Sequence, residues 1–487
     1  IAANDSDIRQ YAKDTYSYMW PRDGALVSYA LIKAGYTTTC RKFFDFCANV
    51  ITPYNFCASV MVEDGFLLHK YNPDGSFGSS WHPWVKGEEI HVPIQEDETA
   101  LILWAIWQYY DLYRKIEVIR PLYHSFIEKA ADFLVSYRDE QTGLPLPSYD
   151  LWEERRGILS FTTAAVYGGL IAAANLSDIF YHTEKAKLYR QTAAQIKEAI
   201  DKHLYSEKHK RFLRMIYPKK EGGYEIDATI DASLYGMFAF GVYDSNDIKV
   251  RNTMKAIEET LWVKTKIGGI ARYEHDMYQR AGEDDKIPGN PWIICTMWLA
   301  QYYASIAKSV EDLEHVVNYL RWAVSHALPS GVLAEQINPH TGEPVSVSPL
   351  TWSHAAVVQT VMDYLEKLQE LHTCGQCGRS IFRYDRAGRQ QVKNHALTHL
   401  GTISDREHIR YLDQINLKKG NESINVSVDQ RQCVGCGICV VNSKGAMDVV
   451  EDKAKIIAER AVNWDIKSGF EKCCPLGAIT VEKKHED

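Results

Sequence analysis

At residues 101–107 the chain reads Leu-Ile-Leu-Trp-Ala-Ile-Trp, seven apolar residues in succession. A second segment, 163–170, is also nearly all apolar or small. Helices that are apolar on every face lie buried. The segment 184–189, by contrast, carries one charged face, which is typical of a helix that covers a buried neighbour. The contrast indicates inner helices that alternate with outer ones.

Apolar periodicity of the helical kind predicts eleven helices before residue 372, and no convincing run of strands. The predicted helices are 22–35, 37–51, 97–114, 117–138, 160–177, 183–204, 231–241, 246–261, 291–307, 311–327 and 352–371. Inner helices alternating with outer ones describe a mainly α fold, a closed α/α barrel. Six helical hairpins need twelve helices, so we expect the first helix to be missing before Ile1.

Composition narrows the class of protein. The 487 residues carry a net charge of -8, which argues against nucleic acid as the main partner. No run of 18 apolar residues is present, so no membrane span is predicted. The 12 Trp and 29 Tyr suit a protein that stacks sugar rings or bases, or one that fills a large helical core. Four scattered cysteines (Cys40, Cys47, Cys57 and Cys295) read as reduced core residues, which indicates a cytoplasmic protein.

The stretch Tyr149–Arg155 carries two adjacent carboxylates, Glu153 and Glu154, directly after Trp152. It follows a loop rich in Pro and Gly and precedes an apolar helix. A carboxyl beside an indole ring is partly desolvated, which raises its pKa and keeps it protonated near neutral pH. Glu153 is therefore a candidate general acid. The alternative is a carboxylate at a helix N-terminus, favoured there by the helix dipole.

Other loops before the predicted inner helices combine an aromatic residue with a carboxylate, an Arg or an amide. Aromatic faces bind the apolar faces of a sugar, while charged and amide groups bind its hydroxyls. Together with Asp150–Arg155, the ordered motifs are Trp20–Asp23, Gln95–Glu98, Arg272–Trp292 and Ala334–Ser353. In this order they resemble the catalytic domain of glycoside hydrolase family 15, which comprises glucoamylases, glucodextranases and related trehalases. The resemblance covers residues 1–371 and implies an (α/α)6 barrel.

The resemblance also implies residue roles. Glu153 matches the general acid, and Glu335 matches the general base that activates water. The residues that match the sugar-binding positions are Arg22, Asp23, Trp152, Glu154, Arg272, Trp292 and Trp352. The family inverts anomeric configuration, which requires the two carboxyl groups to lie roughly 6.5–9.5 Å apart. Hydrolysis of this kind needs no cofactor.

Several alternatives remain open from the sequence. Arg22 and Asp23 could form a structural salt bridge, and Gln95–Glu98 could be a charged first turn of a helix. The leading function is an exo-acting hydrolase that releases glucose from the non-reducing ends of α-glucans, such as oligo- or polysaccharides. A trehalase or glucodextranase would use the same site. A third reading is a redox or regulatory protein with an inactive sugar-binding barrel.

Residues 372–402 contain Cys374, Cys377, His395 and His399, in the spacing C-x2-C-x17-H-x3-H. Two thiolates and two imidazoles at such spacing can close a tetrahedral zinc site. The segment resembles a C2H2 zinc finger with a long spacer. It is basic, but a solvated face on a small structural module is the favoured interpretation over nucleic-acid binding.

After a predicted linker at 403–422, residues 423–487 contain Cys433, Cys436 and Cys439, and later Cys474 followed by Pro475. The segments 424–429 and 478–481 are predicted to pair as strands. The region resembles an α+β ferredoxin-like module, in which three close thiolates and a remote Cys-Pro hold one [4Fe–4S] cluster. A redox or protein partner would follow from such a module.

Overall fold

The computed structural model describes residues 18–51, 64–78, 85–86, 89–90, 92–219, 221–282, 284–372, 412–419, 422–430, 433, 438–450, 453–462, 464–474 and 478–485. The chain divides into two compact units, Ile1–Tyr364 and Leu365–Asp487. Among the helices described, none has both the length and the apolar character needed to cross a lipid bilayer.

The larger unit is mainly helical. Its inner helices are α1 (Pro21–Lys33), α3 (Glu96–Tyr113), α5 (Ser160–Ile179), α7 (Gly236–Ala239, after the 3-10 turn Ala232–Tyr235), α9 (Ile293–Ile306) and α11 (Thr351–Leu371). Its outer helices are α2 (Thr37–Val50), α4 (Glu128–Ser136, after the π-helical turn Tyr123–Ile127), α6 (Thr183–Ala199, continued by Ile200–Leu204), α8 (Ile248–Leu261) and α10 (Glu314–Ser325). Short helical turns at Ile116–Ile119 and Glu311–Leu313 are also present. Each predicted helical segment coincides with one of these.

The inner helices pack against one another in chain order and form a ring. Helices α3 and α5 approach so closely that a Cβ at Gly169 would lie 2.7 Å from the carbonyl oxygen of Ala100. On the far side, Gln301 of α9 donates to Thr360 of α11 at 3.1 Å. Lys33 of α1 forms an ion pair with Asp363 of α11, which closes the ring. The arrangement is consistent with an (α/α)6 barrel, of which eleven helices lie in the described residues. Residues 1–17, immediately before them, lie outside the described part.

Short antiparallel strands join the helices at the loops. They are β1 (Val85–Lys86), β2 (Glu89–Ile90), β3 (Ser148–Tyr149), β4 (Arg156–Leu159), β5 (Tyr205–Ser206), β6 (Arg211–Phe212), β7 (Met215–Pro218), β8 (Tyr224–Asp227), β9 (Ile270–Ala271), β10 (Pro291–Trp292), β11 (Gln336–Ile337) and β12 (Pro344–Val345). Two four-stranded sheets, ordered β3-β4-β7-β8 and β12-β11-β10-β9, precede inner helices. The sequence did not predict them, because strands of two to four residues are too short to show an alternating pattern.

The smaller unit is an α+β structure. Strands β13 (Leu412–Lys419), β14 (Glu422–Asp429) and β17 (Ile479–His485) form one antiparallel sheet, and β15 (Met447–Val450) pairs with β16 (Lys453–Ile456). Short helical segments at Ile438–Asn442, Ala458–Ala461 and Phe470–Cys473 lie between the strands. The predicted pairing of 424–429 with 478–481 is present, with Val426 opposite Val481.

The prediction of a linker at 403–422 is wrong for residues 412–419, which form β13. Apolar Ile415 and Leu417 alternate with polar neighbours there, and both pack into the core of the smaller unit. Alternation of apolar and polar residues is typical of a strand with one buried face. The many charged residues around the segment favoured the linker interpretation instead.

Candidate active site

One open pocket in the larger unit collects the predicted site residues. Its empty volume is about 800 Å³ when the open mouth is included. It is lined by Trp20, Arg22, Asp23, Leu151, Trp152, Glu153, Glu154, Arg272, Tyr278, Trp292, Glu335, Leu350 and Trp352. All nine residues predicted as acid, base or sugar ligands are therefore brought to the same cavity.

Glu153 lies in a tight loop between β3 and β4. The Asp150 side chain accepts hydrogen bonds from the backbone N–H groups of Glu154 (2.8 Å) and Arg155 (3.3 Å), and the Asp150 N–H donates to the Arg155 carbonyl (2.7 Å). Glu153 itself has a φ of 57°, in the left-handed region that costs a non-glycine residue roughly 1 kcal/mol or more. Such strain persists only where neighbours over-determine the conformation.

The interpretation of Glu153 as a carboxylate at a helix N-terminus is wrong. Helix α5 begins at Ser160, and residues Arg156–Leu159 form β4 between them. Strand β4 pairs with β3 on one side and β7 on the other, so the loop is carried by a sheet. The dipole of α5 therefore does not account for the position of Glu153.

The Glu153 carboxyl is buried beside an indole, but the indole is that of Trp20. Trp20 Nε1 donates to Glu153 Oε1 at 2.7 Å, and His69 Nε2 lies 4.0 Å from Oε2. Burial raises the pKa of Glu153 to about 7, against the opposing effects of the Arg22 and Lys70 charges and the Trp20 hydrogen bond. Trp152, the neighbour in sequence, donates instead to Asp231 at 3.1 Å. The prediction that the Glu153 carboxyl is desolvated beside an indole ring agrees with the structure, but the ring belongs to Trp20 and not to Trp152.

Glu335 lies at the start of the β11–β12 hairpin. Its Oε2 accepts hydrogen bonds from Ser346 Oγ at 2.6 Å and from Gln336 Nε2 at 3.2 Å. Burial raises the pKa of Glu335, while these two hydrogen bonds and the Arg272 charge act to lower it. The carboxylate thus has donors on one oxygen and a cation nearby, both of which favour its ionised form.

Arg22 is held by buried polar groups at the start of α3. Its Nε donates to Asp97 at 2.6 Å, and its Nη2 donates to Gln95 at 2.7 Å and pairs with Glu98 at 2.8 Å. The carboxyl of Asp23 is 3.8 Å from the guanidinium. The alternative interpretation of Gln95–Glu98 as a charged first turn of a helix is confirmed, because α3 begins at Glu96. The turn is almost wholly buried and also binds Arg22.

Arg272 is fixed opposite the aromatic residues of the pocket. Its guanidinium donates twice to Asp276, at 2.8 and 2.7 Å, and once to Glu154 at 2.8 Å. The ring centroids of Trp152 and Trp292 lie 5.2 and 4.8 Å from its central carbon. The β9–β10 pairing sets this arrangement, because it brings Trp292 opposite Ile270, two residues before Arg272.

The residues of the site that were given no role from the sequence include Trp20, Tyr278 and Ser346. Trp20 was part of a motif but was given no role, although its place before Pro21 at the start of a helix was a usable signal. Tyr278 lies 4.9 Å from the Arg272 guanidinium, and Ser346 contacts Glu335. Both lie within the motif ranges Arg272–Trp292 and Ala334–Ser353, but neither residue stands out inside its range.

The predicted metal ligands are only partly described. Cys374, Cys377, His395, His399 and Cys436 lie outside the described residues. Cys433 and Cys439 are buried in the core of the smaller unit, and Cys474 packs against that core. Of the residues that the structure describes, no three or more His, Cys, Asp or Glu form a group that could hold a metal ion.

Comparison with known proteins identifies a family. The model of "Glycosyl hydrolases family 15" matches residues 2–362. An uncharacterized glycosyl hydrolase of Methanocaldococcus jannaschii is 31% identical over 350 residues, covering 70% of this chain and 50% of that protein. A glucoamylase of a Clostridium species is 26% identical, with 70% and 46% covered. Trehalase 2 of Sulfolobus acidocaldarius is 25% identical, with 72% and 57% covered. The chain thus spans about half the length of these relatives.

Solved structures agree on the fold. A bacterial glucoamylase complexed with acarbose matches with a TM-score of 0.56 and 24% identity, over 72% of this chain and 49% of that one. A glucoamylase from Saccharomycopsis fibuligera also gives a TM-score of 0.56, at 18% identity, over 72% of this chain and 87% of that one. At these identities the likeness concerns the arrangement of helices and not the chemistry.

Proposed function

We propose, from the premise that the chain belongs to family 15 of the glycosyl hydrolases, that its pocket cleaves α-glucosidic bonds with inversion at the anomeric carbon. The observation that carries the proposal is the meeting of Glu153 and Glu335 in one cavity. They come from loops more than 180 residues apart in sequence, and their pKa values are both governed by burial.

The two carboxyls take different roles because their partners differ. Glu153, with a pKa of about 7, is largely protonated in mildly acidic solution and donates its proton to the glycosidic oxygen. Burial raises the pKa of Glu335, but two donated hydrogen bonds act against that rise and stabilise the ionised form, in which Glu335 accepts a proton from the attacking water. Inversion requires room for that water between the base and the anomeric carbon, hence carboxyls roughly 6.5–9.5 Å apart.

The remaining lining residues suit the recognition of one terminal sugar. Arg22, Asp23 and Arg272 offer charged partners to hydroxyl groups, and Trp152, Trp292 and Trp352 offer aromatic faces. Glu154, which is partly exposed and tied to Arg272 at 2.8 Å, lies where it would meet the leaving sugar. We therefore propose an exo-acting hydrolase that releases glucose from the non-reducing ends of α-glucans.

A trehalase is the second candidate, because proteins named as trehalases match the same part of the chain as those named as glucoamylases. Glucodextranase specificity would use the same acid and base. Initial rates on maltose, isomaltose and trehalose separate the three. A clear preference for trehalose would replace the glucoamylase assignment without changing the roles of Glu153 and Glu335.

The acid and base are tested by Glu153→Gln and Glu335→Gln, each measured on maltooligosaccharides and trehalose. Both variants should lose at least about 100-fold in kcat, since positioned acid–base catalysis contributes roughly 10²–10⁴-fold. Glu343→Gln is the matched control, because Glu343 is an exposed carboxylate on the same hairpin as Glu335. Full activity in either site variant would overturn the proposal, and so would sugar binding without turnover in the unaltered protein.

For the smaller unit we propose one [4Fe–4S] cluster held by Cys433, Cys436, Cys439 and Cys474, which would supply one-electron transfer. The proposal rests on the spacing of these cysteines, and two of the described thiols accept hydrogen bonds from the backbone. Cys433 Sγ accepts a hydrogen bond from the Ala454 N–H at 3.1 Å, and Cys474 Sγ accepts one from the Ala478 N–H at 3.3 Å. Backbone donors to sulfur stabilise negative charge on cluster thiolates.

The cluster is tested on anaerobically prepared protein by iron and sulfide analysis together with electron paramagnetic resonance. Cys474→Ser should lower the iron content and abolish the signal of the reduced cluster, whereas Cys40→Ser, at a buried cysteine of the larger unit, should not. We further propose zinc at Cys374, Cys377, His395 and His399, resting on their spacing alone. Clustered thiols of this kind persist in a reducing compartment, so we also propose a cytoplasmic location and a redox or protein partner.

A further inference from the structure

Lys70 is a buried lysine close to the candidate acid but outside the lining of the pocket. Only 1% of the residue is exposed. Its ammonium lies 4.7 Å from the ring centroid of Tyr18 and 5.7 Å from that of Trp20. Its stem packs on Gly78, where an added Cβ would come within 2.8 Å of Lys70 Cγ. The side chain is therefore confined between a backbone and two aromatic rings.

Backbone pairing fixes this lysine beside Trp20. The Met19 N–H donates to the Tyr71 carbonyl at 2.8 Å, and the Tyr71 N–H donates back to Met19 at 2.9 Å. This antiparallel bridge places residue 70 opposite residue 20 across the pair. The Gly78 N–H donates to the Lys70 carbonyl at 3.1 Å, which holds the other side of the segment.

We propose that Lys70 is a positioning residue for the general acid, because it holds Trp20 in the orientation in which the indole donates to Glu153. The inference rests on the proposed role of Glu153. Trp20 is the physical link, because its Nε1 donates to Glu153 at 2.7 Å while its ring lies near the Lys70 ammonium. A cation near an aromatic ring is attracted to its face and restricts its orientation.

Within the described part of the chain, two segments supply charged or titratable groups that act on Glu153. Helix α1 supplies Arg22, which favours the ionised carboxyl, and Asp23, which opposes it. The segment 64–78 supplies Lys70 and His69, the latter 4.0 Å from Glu153 Oε2. Arg22 already has carboxylate partners in Asp97 and Glu98. Lys70 therefore supplies part of the positive charge that limits how far burial raises the pKa of Glu153.

The consequence has a definite sign in the pH dependence of activity. Because Glu153 must be protonated to act, its pKa sets the alkaline limb of the pH–rate profile. Without the Lys70 charge the pKa of Glu153 rises, so the alkaline limb should move to higher pH by about one unit, since a nearby opposite charge typically shifts a carboxyl by that order. The acid limb, set by Glu335, should stay where it is.

The experiment compares pH profiles of kcat/KM and kcat for the full chain and for Lys70→Met, Lys70→Arg and Lys33→Met. Lys70→Met should move the alkaline limb to higher pH and lower kcat. Lys70→Arg keeps the positive charge and should leave the limb at its original pH. Lys33→Met is the matched control, because Lys33 is also buried but pairs with Asp363 at the ring closure. If Lys70→Met does not fold, Lys70→Gln takes its place, and the same shift of the alkaline limb to higher pH is expected.

His69 is the other group that could move this limb, so the Lys70 variant is also measured in a His69→Gln background, where the same upward shift should recur. An unchanged or lowered alkaline limb in a folded variant without the Lys70 charge would overturn the inference and leave the proposed function standing. Should Glu153→Gln keep full activity, the inference and the proposed function fall together.

Discussion

Replacing Glu153 with glutamine should make the larger unit more stable in alkaline solution. Burial raises the pKa of Glu153 from its ordinary 4.5 to about 7. A carboxyl whose pKa is higher in the folded state contributes stability that is full below pH 4.5 and is lost as the pH rises through 7. The difference between the two values, at 1.36 kcal/mol for each pH unit, is about 3 kcal/mol. Because the glutamine amide does not ionise, the Glu153→Gln variant should escape this loss while its carbonyl oxygen still accepts the Trp20 hydrogen bond.

The assay is chemical denaturation of the full chain at about pH 4 and about pH 8.5, on either side of the two pKa values, followed by tryptophan fluorescence. Eleven of the 12 Trp residues precede residue 365, so the signal reports mainly on the larger unit. The variant should match the unaltered protein at the acidic pH and exceed it by up to about 3 kcal/mol at the alkaline pH. Glu259→Gln, at an exposed carboxylate on α8, should show no such pH-dependent gain. A stability difference that does not grow as the pH rises through the pKa of Glu153 would refute the reasoning.

Three further outcomes are expected from pH–rate profiles and initial rates on maltooligosaccharides. Trp20→Phe removes the hydrogen bond that favours ionised Glu153, so the alkaline limb should move to higher pH by about one unit. A move to lower pH would contradict this. Ser346→Ala removes a donor to Glu335, so the acid limb should move to higher pH by a similar amount, and an unmoved limb would argue against Glu335 as the base. Arg272→Met should lower kcat/KM about 10- to 100-fold, as expected for a lost charged hydrogen bond, and an unaltered value would remove Arg272 from the sugar site.

Much of the helical architecture could be predicted from the sequence, because each helix has its own periodic pattern of apolar residues. The apolar run at 101–107 lies in the buried helix α3, and the charged face of 184–189 belongs to the outer helix α6. Nine of the pocket residues could also be predicted as a set, since they belong to motifs in the loops that precede inner helices. These loops converge because the inner helices that they precede surround one axis.

Contacts between distant segments could not be predicted in the same way. The indole on Glu153 comes from Trp20, 133 residues away, and not from the adjacent Trp152. The sequence indicates that Gln95–Glu98 is a charged first turn, but not that this turn is buried and that Asp97 and Glu98 pair with Arg22. The loop that carries Glu153 is shaped by Asp150 and by pairing with β7, whose four residues show no strand pattern of their own.

The stereochemistry of the first product tests the pairing of Glu153 with Glu335 most directly. Proton magnetic resonance can follow the anomeric protons during the first turnovers of maltose, before mutarotation mixes the anomers. A water activated by Glu335 on the face opposite Glu153 should release β-glucose first. Release of α-glucose first would require a covalent intermediate or a different pair of residues, and would contradict the account.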